Sequence, residues 1–357
     1  MIKRLAVFLA LVATPALAED AGKPMRLIGA APAASEGAPL RFVIDALVTK
    51  GYGPLQTKVE GWLSGLDPVT ETQPLIQGKL EGACIEDRCA LSADVGDKSL
   101  LLSGDLGKAA GAAGRFMLQT YDDKTVSEGP ATFTPLAEDV PGIGRLIAPY
   151  ALTGQQIAEP LLWAGFPTGY ANIDDDPPSE YERKAFSDWQ AARELSPTGL
   201  FTVAEIALVK AEADKAKADV GWTLLPGVGG WKAGYPAKVV QPVSATSTPG
   251  ERRYASADGK VLLVTRTDQP MGGDAWDAFV KTQTTEAGGR ETNGYARVNE
   301  DFDLRYTLKD RTTVAYYFSG PKGMRRMEFS YPTADDAQWS HWGEVLRYAY
   351  RAGEAER

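Results

Sequence analysis

The chain has two cysteines, Cys84 and Cys89, five positions apart in "GACIEDRCAL". A covalent bond between residues so close leaves the intervening chain few shapes. The flanking "GKLEGAC" (78–84) and "CALSAD" (89–94) alternate as strands do, so "IEDR" is expected to be a four-residue hairpin loop with the cysteines facing across its base. A ring this small contributes roughly 2 kcal/mol in the chain-entropy account. Redox-active pairs carry two intervening residues rather than four. The pair is therefore expected to be a structural staple.

A disulfide needs an oxidising compartment, and the N-terminus points to one. Lys3 and Arg4 precede the apolar run "LAVFLALVA" (5–13), and "TPALA" (14–18) ends in an Ala-x-Ala pattern. That is the form of a secretory signal peptide at 1–18, too short to span a bilayer. Cleavage before Glu19, with no cysteine after Ala18 to take a lipid, predicts a soluble periplasmic or secreted protein. No later segment approaches the length of a membrane span. The formal charge of −9 becomes about −11 when Lys3 and Arg4 are lost, 36 basic against 47 acidic residues. So acidic a chain gains nothing from neutralising phosphates or anionic lipid, which argues against nucleic acid and membrane surfaces as partners.

About 340 mature residues exceed one ordinary core. Composition predicts a multi-domain α+β chain: an N-terminal antiparallel β-rich domain, a central three-helix bundle and a C-terminal antiparallel sheet with helices. Residues 19–39, rich in small residues, read as a flexible linker. Residues 40–137 read as the β-rich domain, a small sandwich with one early helix at "LRFVIDALVTKGY" (40–52), where Phe42, Val43, Ala46 and Leu47 share a face. "AEDVPGIG" (137–144) marks a boundary. Residues 145–220 read as helical. Capping boxes at Ser179/Glu182 and Thr202/Glu205 open the second and third helices, and Pro160 is awkward inside the first. The charged, Ala-rich tail of the third helix is expected to project into solvent as a connector. Residues 221–355 read as hairpins around Asp258-Gly259 and "KDRT" (309–312), with helices at 272–288 and 335–353, an α+β domain.

Within the helical region, "LLWAGF" (161–166), "ERKAFSDWQ" (182–190) and "LSPTGLFTVAEIALV" (195–209) resemble the peptidoglycan-binding-like domain, a three-helix module of bacterial envelope proteins. The aromatic-Gln pair Trp189-Gln190 and the Pro197-Thr198-Gly199 turn are the specific elements. The resemblance implies a small bundle that contacts cell-wall material. The family's Gly-rich loop before the second helix is replaced by "TGYANIDDDPPSEY" (168–181), with three aspartates, which weakens the implied ligand binding while leaving the implied fold. The segment from "GWTLLPGVGGWKAGYPAKVV" (221–240) onward is similar to uncharacterised proteobacterial periplasmic proteins with the same module order.

Sugar recognition uses aromatic faces for stacking and amides or carboxylates for hydrogen bonds. The candidates are Tyr170, Asn172 and Tyr181 around the 166–181 loop, and Trp222, Trp231 and Tyr235, with Tyr254, around "PGVGGWKAGYP" (226–236). Catalytic chemistry finds little support. His341 is the single histidine. Zinc amidases and carboxypeptidases need two or three His ligands, and a His-based triad needs one beside a nucleophile. His341, between Trp339 and Trp342 on an expected helix, reads as a surface histidine. "SGPK" (319–322) has Ser-x-x-Lys spacing, yet Gly320 and Pro321 make it a turn rather than a helix start. "NIDDDPP" (172–178) has oxygen donors but lacks EF-hand spacing. Paired carboxylates for glycoside cleavage are the remaining enzymatic option. The expectation is a non-catalytic envelope protein without metal or cofactor, whose partner is peptidoglycan or another exported protein.

Overall fold

The computed structural model describes residues 23–31, 40–51, 53, 55–66, 77–95, 98–106, 112–122, 124–136, 139–140, 143–147, 152–168, 178–225, 234–243, 248–271, 273–286, 301–320 and 323–355. These fall into two compact units, Met1–Val140 and Pro141–Arg357.

The first unit is a closed antiparallel barrel of eight strands in sequential order. They are β1 (Lys23–Ala31), β2 (Leu40–Lys50), β3 (Gln56–Gly65), β4 (Gln77–Ile85), β5 (Arg88–Val95), β6 (Lys98–Gly104), β7 (Ala112–Thr120) and β8 (Thr125–Pro135). Pairing of Leu27–Ala30 with Pro135–Thr132 closes the ring. Alternation sets the faces. Met25, Leu27, Phe42, Ile44, Leu63, Leu80, Leu91, Leu100, Phe116 and Phe133 fill the interior. Eight strands leave a lumen that side chains can fill, and here they do. Gly29 lies beside Phe42 and Phe133 in the ladder, and a Cβ there would enter the Phe42 ring. Its absence admits the edge-to-face contact of those rings at 6.0 Å. Outward positions carry Lys58, Glu60, Lys79, Glu81, Arg88, Asp94, Arg115 and Glu128. This part of the outer wall is charged around an apolar lumen, unlike a lipid-facing wall, while Val43, Trp62 and Ser64 on the outer side of β2 and β3 are buried. Among the described residues, no helix is long and apolar enough to cross a membrane.

Three expectations are corrected here. The sandwich is a closed barrel. The linker at 19–39 contains β1, whose Gly29 and small alanines are packing positions. The helix at 40–52 is β2: Phe42, Ile44 and Ala46 alternate inward, and β-branched Val43, Ile44, Val48 and Thr49 suit a strand. Asp45, in the same strand, is held by Arg26 across the ladder at 2.8 Å. The disulfide Cys84–Cys89 is present. The turn is tighter than expected, because Ile85 pairs with Arg88 and leaves only Glu86 and Asp87 at the tip.

The second unit contains a six-stranded antiparallel sheet. A short hairpin, β9 (Trp222–Leu224) and β10 (Gly234–Pro236), precedes it. Its strands are β11 (Gln241–Pro242), β12 (Glu251–Ala255), β13 (Leu262–Asp268), β14 (Asp301–Leu308), β15 (Arg311–Gly320) and β16 (Gly323–Pro332). The order across the sheet is β11-β12-β13-β16-β15-β14. The helices are α1 (Gly154–Trp163), α2 (Glu180–Ala192), α3 (Val203–Val220), α4 (Gly273–Glu286) and α5 (Asp336–Ala355). α4 lays Trp276 and Val280 on Phe302, Leu304, Ala315 and Tyr317. α5 lays Leu346 and Tyr350 on Val314, Tyr316, Met327 and Phe329 of the opposite face.

The central three-helix bundle is not a domain of its own, which overturns that part of the expected fold class. Its helices exist, but α1 is apolar on two sides. Ile157 and Leu161 meet α2 and α3 through Phe186, Trp189 and Ile206. Ala158, Leu162 and Trp163, with Ala213 of α3, pack instead on Val345 and Tyr348 of α5. A second buried face ties the helices to the sheet. The tail of α3 accordingly does not project into solvent: Ala213 is buried, and Lys217 reaches Glu159 of α1 at 2.6 Å. Pro160 sits inside α1, which opens with a capping box at Thr153.

Replacing Cys84 and Cys89 together by alanine is expected to lower barrel stability by about 2 kcal/mol while keeping the eight strands. Urea unfolding followed by far-UV circular dichroism checks this. Either no loss of stability or complete loss of structure would contradict it.

Candidate functional site

The segment nominated from the sequence is built around one amide. Gln190 of α2 is fully buried. Its Oε1 accepts the Gly199 N–H at 2.9 Å, while its Nε2 donates toward the Leu200 carbonyl at 3.4 Å and Glu205 Oε1 at 3.2 Å. Gly199 has φ +66°, a conformation that glycine adopts at no steric cost. The turn ends at Thr202, whose hydroxyl caps α3 by accepting the Glu205 N–H and donates to Glu205 Oε2 at 2.6 Å. Burial pushes the Glu205 carboxyl above its ordinary value, against the opposing effect of those hydrogen bonds. Beneath this network Phe186 stacks on Trp189 at 5.1 Å and meets the Phe201 edge at 5.0 Å. The Trp189 indole N–H donates to Glu212, which Arg193 also holds through two bonds of 2.8 Å. That guanidinium keeps the Glu212 carboxyl below its ordinary range. The aromatic-Gln and Pro-Thr-Gly elements thus face each other, and both point inward.

The residues nominated for binding do not converge into one described surface. Tyr170, Asn172 and Trp231, with Asp174, Asp175 and Asp176, lie outside the described residues. Tyr181 is 57% exposed on the first turn of α2. It stands beside the capping box in which Glu182 accepts the Ser179 N–H at 2.7 Å. Trp222 is half-buried, its ring 4.8 Å from Trp163 and edge-on to it. A Cβ at Gly234 would collide with that indole, so this glycine lets Trp222 lie against β10. Tyr235 is buried against Tyr254 at 4.6 Å. Among the described residues, both of these candidate rings, Trp222 and Tyr235, are in packing contacts.

The catalytic candidates are also occupied. Ser319 is buried at the end of β15, where its hydroxyl accepts the Met271 N–H at 3.2 Å and donates to the Met271 carbonyl. His341 of α5 is half-buried, its ring 5.4 Å from Trp342. Burial depresses its pKa below 6.5, with Glu344 opposing. Among the described residues, no group of three or more His, Cys, Asp or Glu side chains is placed to hold a metal ion.

Sequence reasoning missed a concavity at one mouth of the barrel. At the end of the barrel that carries the disulfide, a cavity of about 420 Å³ opens between the start of β1 and the β4–β5 hairpin. Met25, Leu27, Val48, Cys84 and Leu106 form its apolar wall, and Lys23, Glu86 and Asp87 stand at the rim. No local pattern marks it, because it exists only once β1 closes the ring. A wider groove of about 570 Å³ crosses the outer face of β4–β8, along Glu81, Ser92, Leu101, Met117 and Glu128.

No family model matches the chain, and no curated protein matches it. Among solved structures, the complex of Pseudomonas aeruginosa MucA/MucB is similar at 10% identity, over 87% of this chain and 89% of that one, with a TM-score of 0.14. At that score the likeness carries no statement about fold or role.

Two outcomes follow from these contacts. Gln190→Ala leaves the buried Gly199 N–H without its acceptor and is expected to cost about 2–3 kcal/mol. Seven of the eight tryptophans lie beyond residue 141, so denaturant unfolding followed by tryptophan fluorescence reports on this unit. Lys184→Ala, on the exposed side of α2, serves as the control that should change little. For His341, the C2 proton of the chain's one histidine should titrate with a midpoint below 6.5 in NMR spectra.

Proposed function

We propose that this chain is an exported, non-catalytic binding protein of the bacterial cell envelope, contacting peptidoglycan or an envelope partner through the exposed start of α2. The observation that carries this reading is the Gln190 lock. The residues on which the resemblance to peptidoglycan-binding-like modules rests, Gln190 and Thr198-Gly199, are in mutual contact. Their spacing therefore has a physical cause, the positioning of the turn before α3. The helical segment belongs to the larger sheet-containing unit, which supplies a rigid base for whatever Tyr181 and its neighbours meet.

The signal-peptide pattern and the Cys84–Cys89 disulfide support a periplasmic location for the mature protein. The buried hydrogen bonding of Ser319 and the packing of His341 against Trp342 support a binding rather than catalytic role.

Docking to another exported protein is a second reading, favoured by one specific observation. Trp222 and Tyr235, two of the rings offered for stacking on sugar, are consumed in packing against Trp163 and Tyr254. What remains exposed on α2 is Glu180, Tyr181, Lys184 and Asp188, with Ala191 and Ala192 at its end, a mixed surface suited to a protein.

Incubating the mature protein with purified sacculi, beside a control protein of equal charge, separates the two readings. Retention above the control that falls several-fold in Tyr181→Ala is expected for wall binding. Retention equal to the control excludes it and leaves docking, for which cross-linking in periplasmic extract should yield one dominant protein neighbour.

A further inference from the structure

We propose that the disulfide end of the barrel is a binding site for a compact amphiphile with an apolar body and a cationic head. The cavity of about 420 Å³ falls in the range of small-molecule sites, and barrel mouths are a common place for them. Its depth is set by the fold. Beyond Leu27 the lumen is filled by Leu63, Leu80 and Leu100, all with no exposed surface, so a ligand enters only the mouth. That excludes long acyl chains and selects a short or compact body. Cys84 is part of the wall, and its bond to Cys89 pins the hairpin that borders the opening. The staple thereby keeps a concave mouth from collapsing onto Leu106.

Charge at the rim selects the head group. Arg26 also borders the cavity, but its guanidinium is held by buried Asp45 at 2.8 Å. The remaining charges are Lys23, Glu86 and Asp87, none of which makes an ion pair with another described residue. Among the described residues lining the cavity, two carboxylates stand with this one ammonium, and the acidic chain as a whole adds a field of the same sign. A cationic head is favoured over an anionic one. Because the rim is exposed, the preference is modest, about fivefold at low ionic strength.

This site lies in the barrel unit and does not depend on the α2 reading, so the two can fail separately. The test uses the full mature protein and the neutral fluorophore N-phenyl-1-naphthylamine, displaced by octylamine, octanol or octanoate. The expected result is saturable binding of one fluorophore per chain, with octylamine displacing it at about one fifth of the octanoate concentration. Val48→Trp, which fills the cavity, should abolish fluorophore binding. The turn variant Glu86→Gln/Asp87→Asn lies at an exposed tip, so it should keep the fold and fluorophore binding while erasing the preference for the amine. Absence of saturable binding, or binding unchanged by Val48→Trp in protein with wild-type circular dichroism, overturns the site. Octanoate displacing as well as octylamine overturns the assignment of the head group.

Discussion

Four residues of β1, Leu27 to Ala30, paired with Pro135 to Thr132 of β8, turn a meander into a barrel. Without that pairing both strands would be open edges, each offering unpaired amides and carbonyls to other chains. With it, every apolar residue on one face of eight strands meets others across a lumen narrow enough to be filled. The pairing depends in turn on Gly29, since any side chain there would displace Phe42 from its contact with Phe133. Backbone closure, ring packing and the shallow mouth that ends at Leu27 are consequences of one short register.

The second unit solves a different problem. Its three N-terminal helices cannot satisfy their own apolar surface. α1 presents Ile157 and Leu161 on one side and Leu162 and Trp163 on another, so packing against α2 and α3 still leaves a face exposed. α5 covers it with Val345 and Tyr348 while its own other face lies on the sheet. One helix thus serves two cores, which is why a bundle of apparently modular length is not a module. Within it, the chain must reverse between α2 and α3 in a few residues. Gln190 holds that reversal by engaging the backbone of Gly199 and Leu200 at once.

How much of this was legible in the sequence follows the range of the interactions involved. Capping is local, so Ser179/Glu182 and Thr202/Glu205 marked the starts of α2 and α3 correctly. The Cys84–Cys89 pairing is also local and was legible. Barrel closure joins residues about a hundred positions apart, and nothing near Leu27 announces Pro135. β2 misled because Phe42, Val43, Ala46 and Leu47 satisfy helical spacing while Phe42, Ile44 and Ala46 satisfy strand spacing. Only the neighbouring β1 and β3 decide between them. The autonomy of the helical segment was misread for a related reason. Motif residues report the Gln190 turn, whereas the apolar side of α1 that meets α5 looks like ordinary core. At the candidate site, Trp222 and Tyr235 showed that aromatic rings flanked by glycines can be close-packed, with Gly234 making room for an indole rather than a ligand.

The two units are also held by chemistries that respond to different conditions. The barrel carries the disulfide and is the part a reductant weakens. The helical unit carries carboxylates with opposite linkage to pH. Glu212, its pKa lowered by Arg193 from an ordinary 4.5, contributes stability that is present above 4.5 and lost as pH falls through its folded value. Glu205, raised from 4.5 by burial, favours the folded state fully below 4.5, and that advantage is lost as pH rises through its folded value. His341, lowered from 6.5, withdraws stability as pH drops below 6.5 toward its folded pKa. Acidification therefore acts first through His341, then meets opposing contributions around α3. At Glu205 burial outweighs the hydrogen bonds from Thr202 and the Gln190 amide, so the turn before α3 holds one of the three groups through which the unit responds to acid.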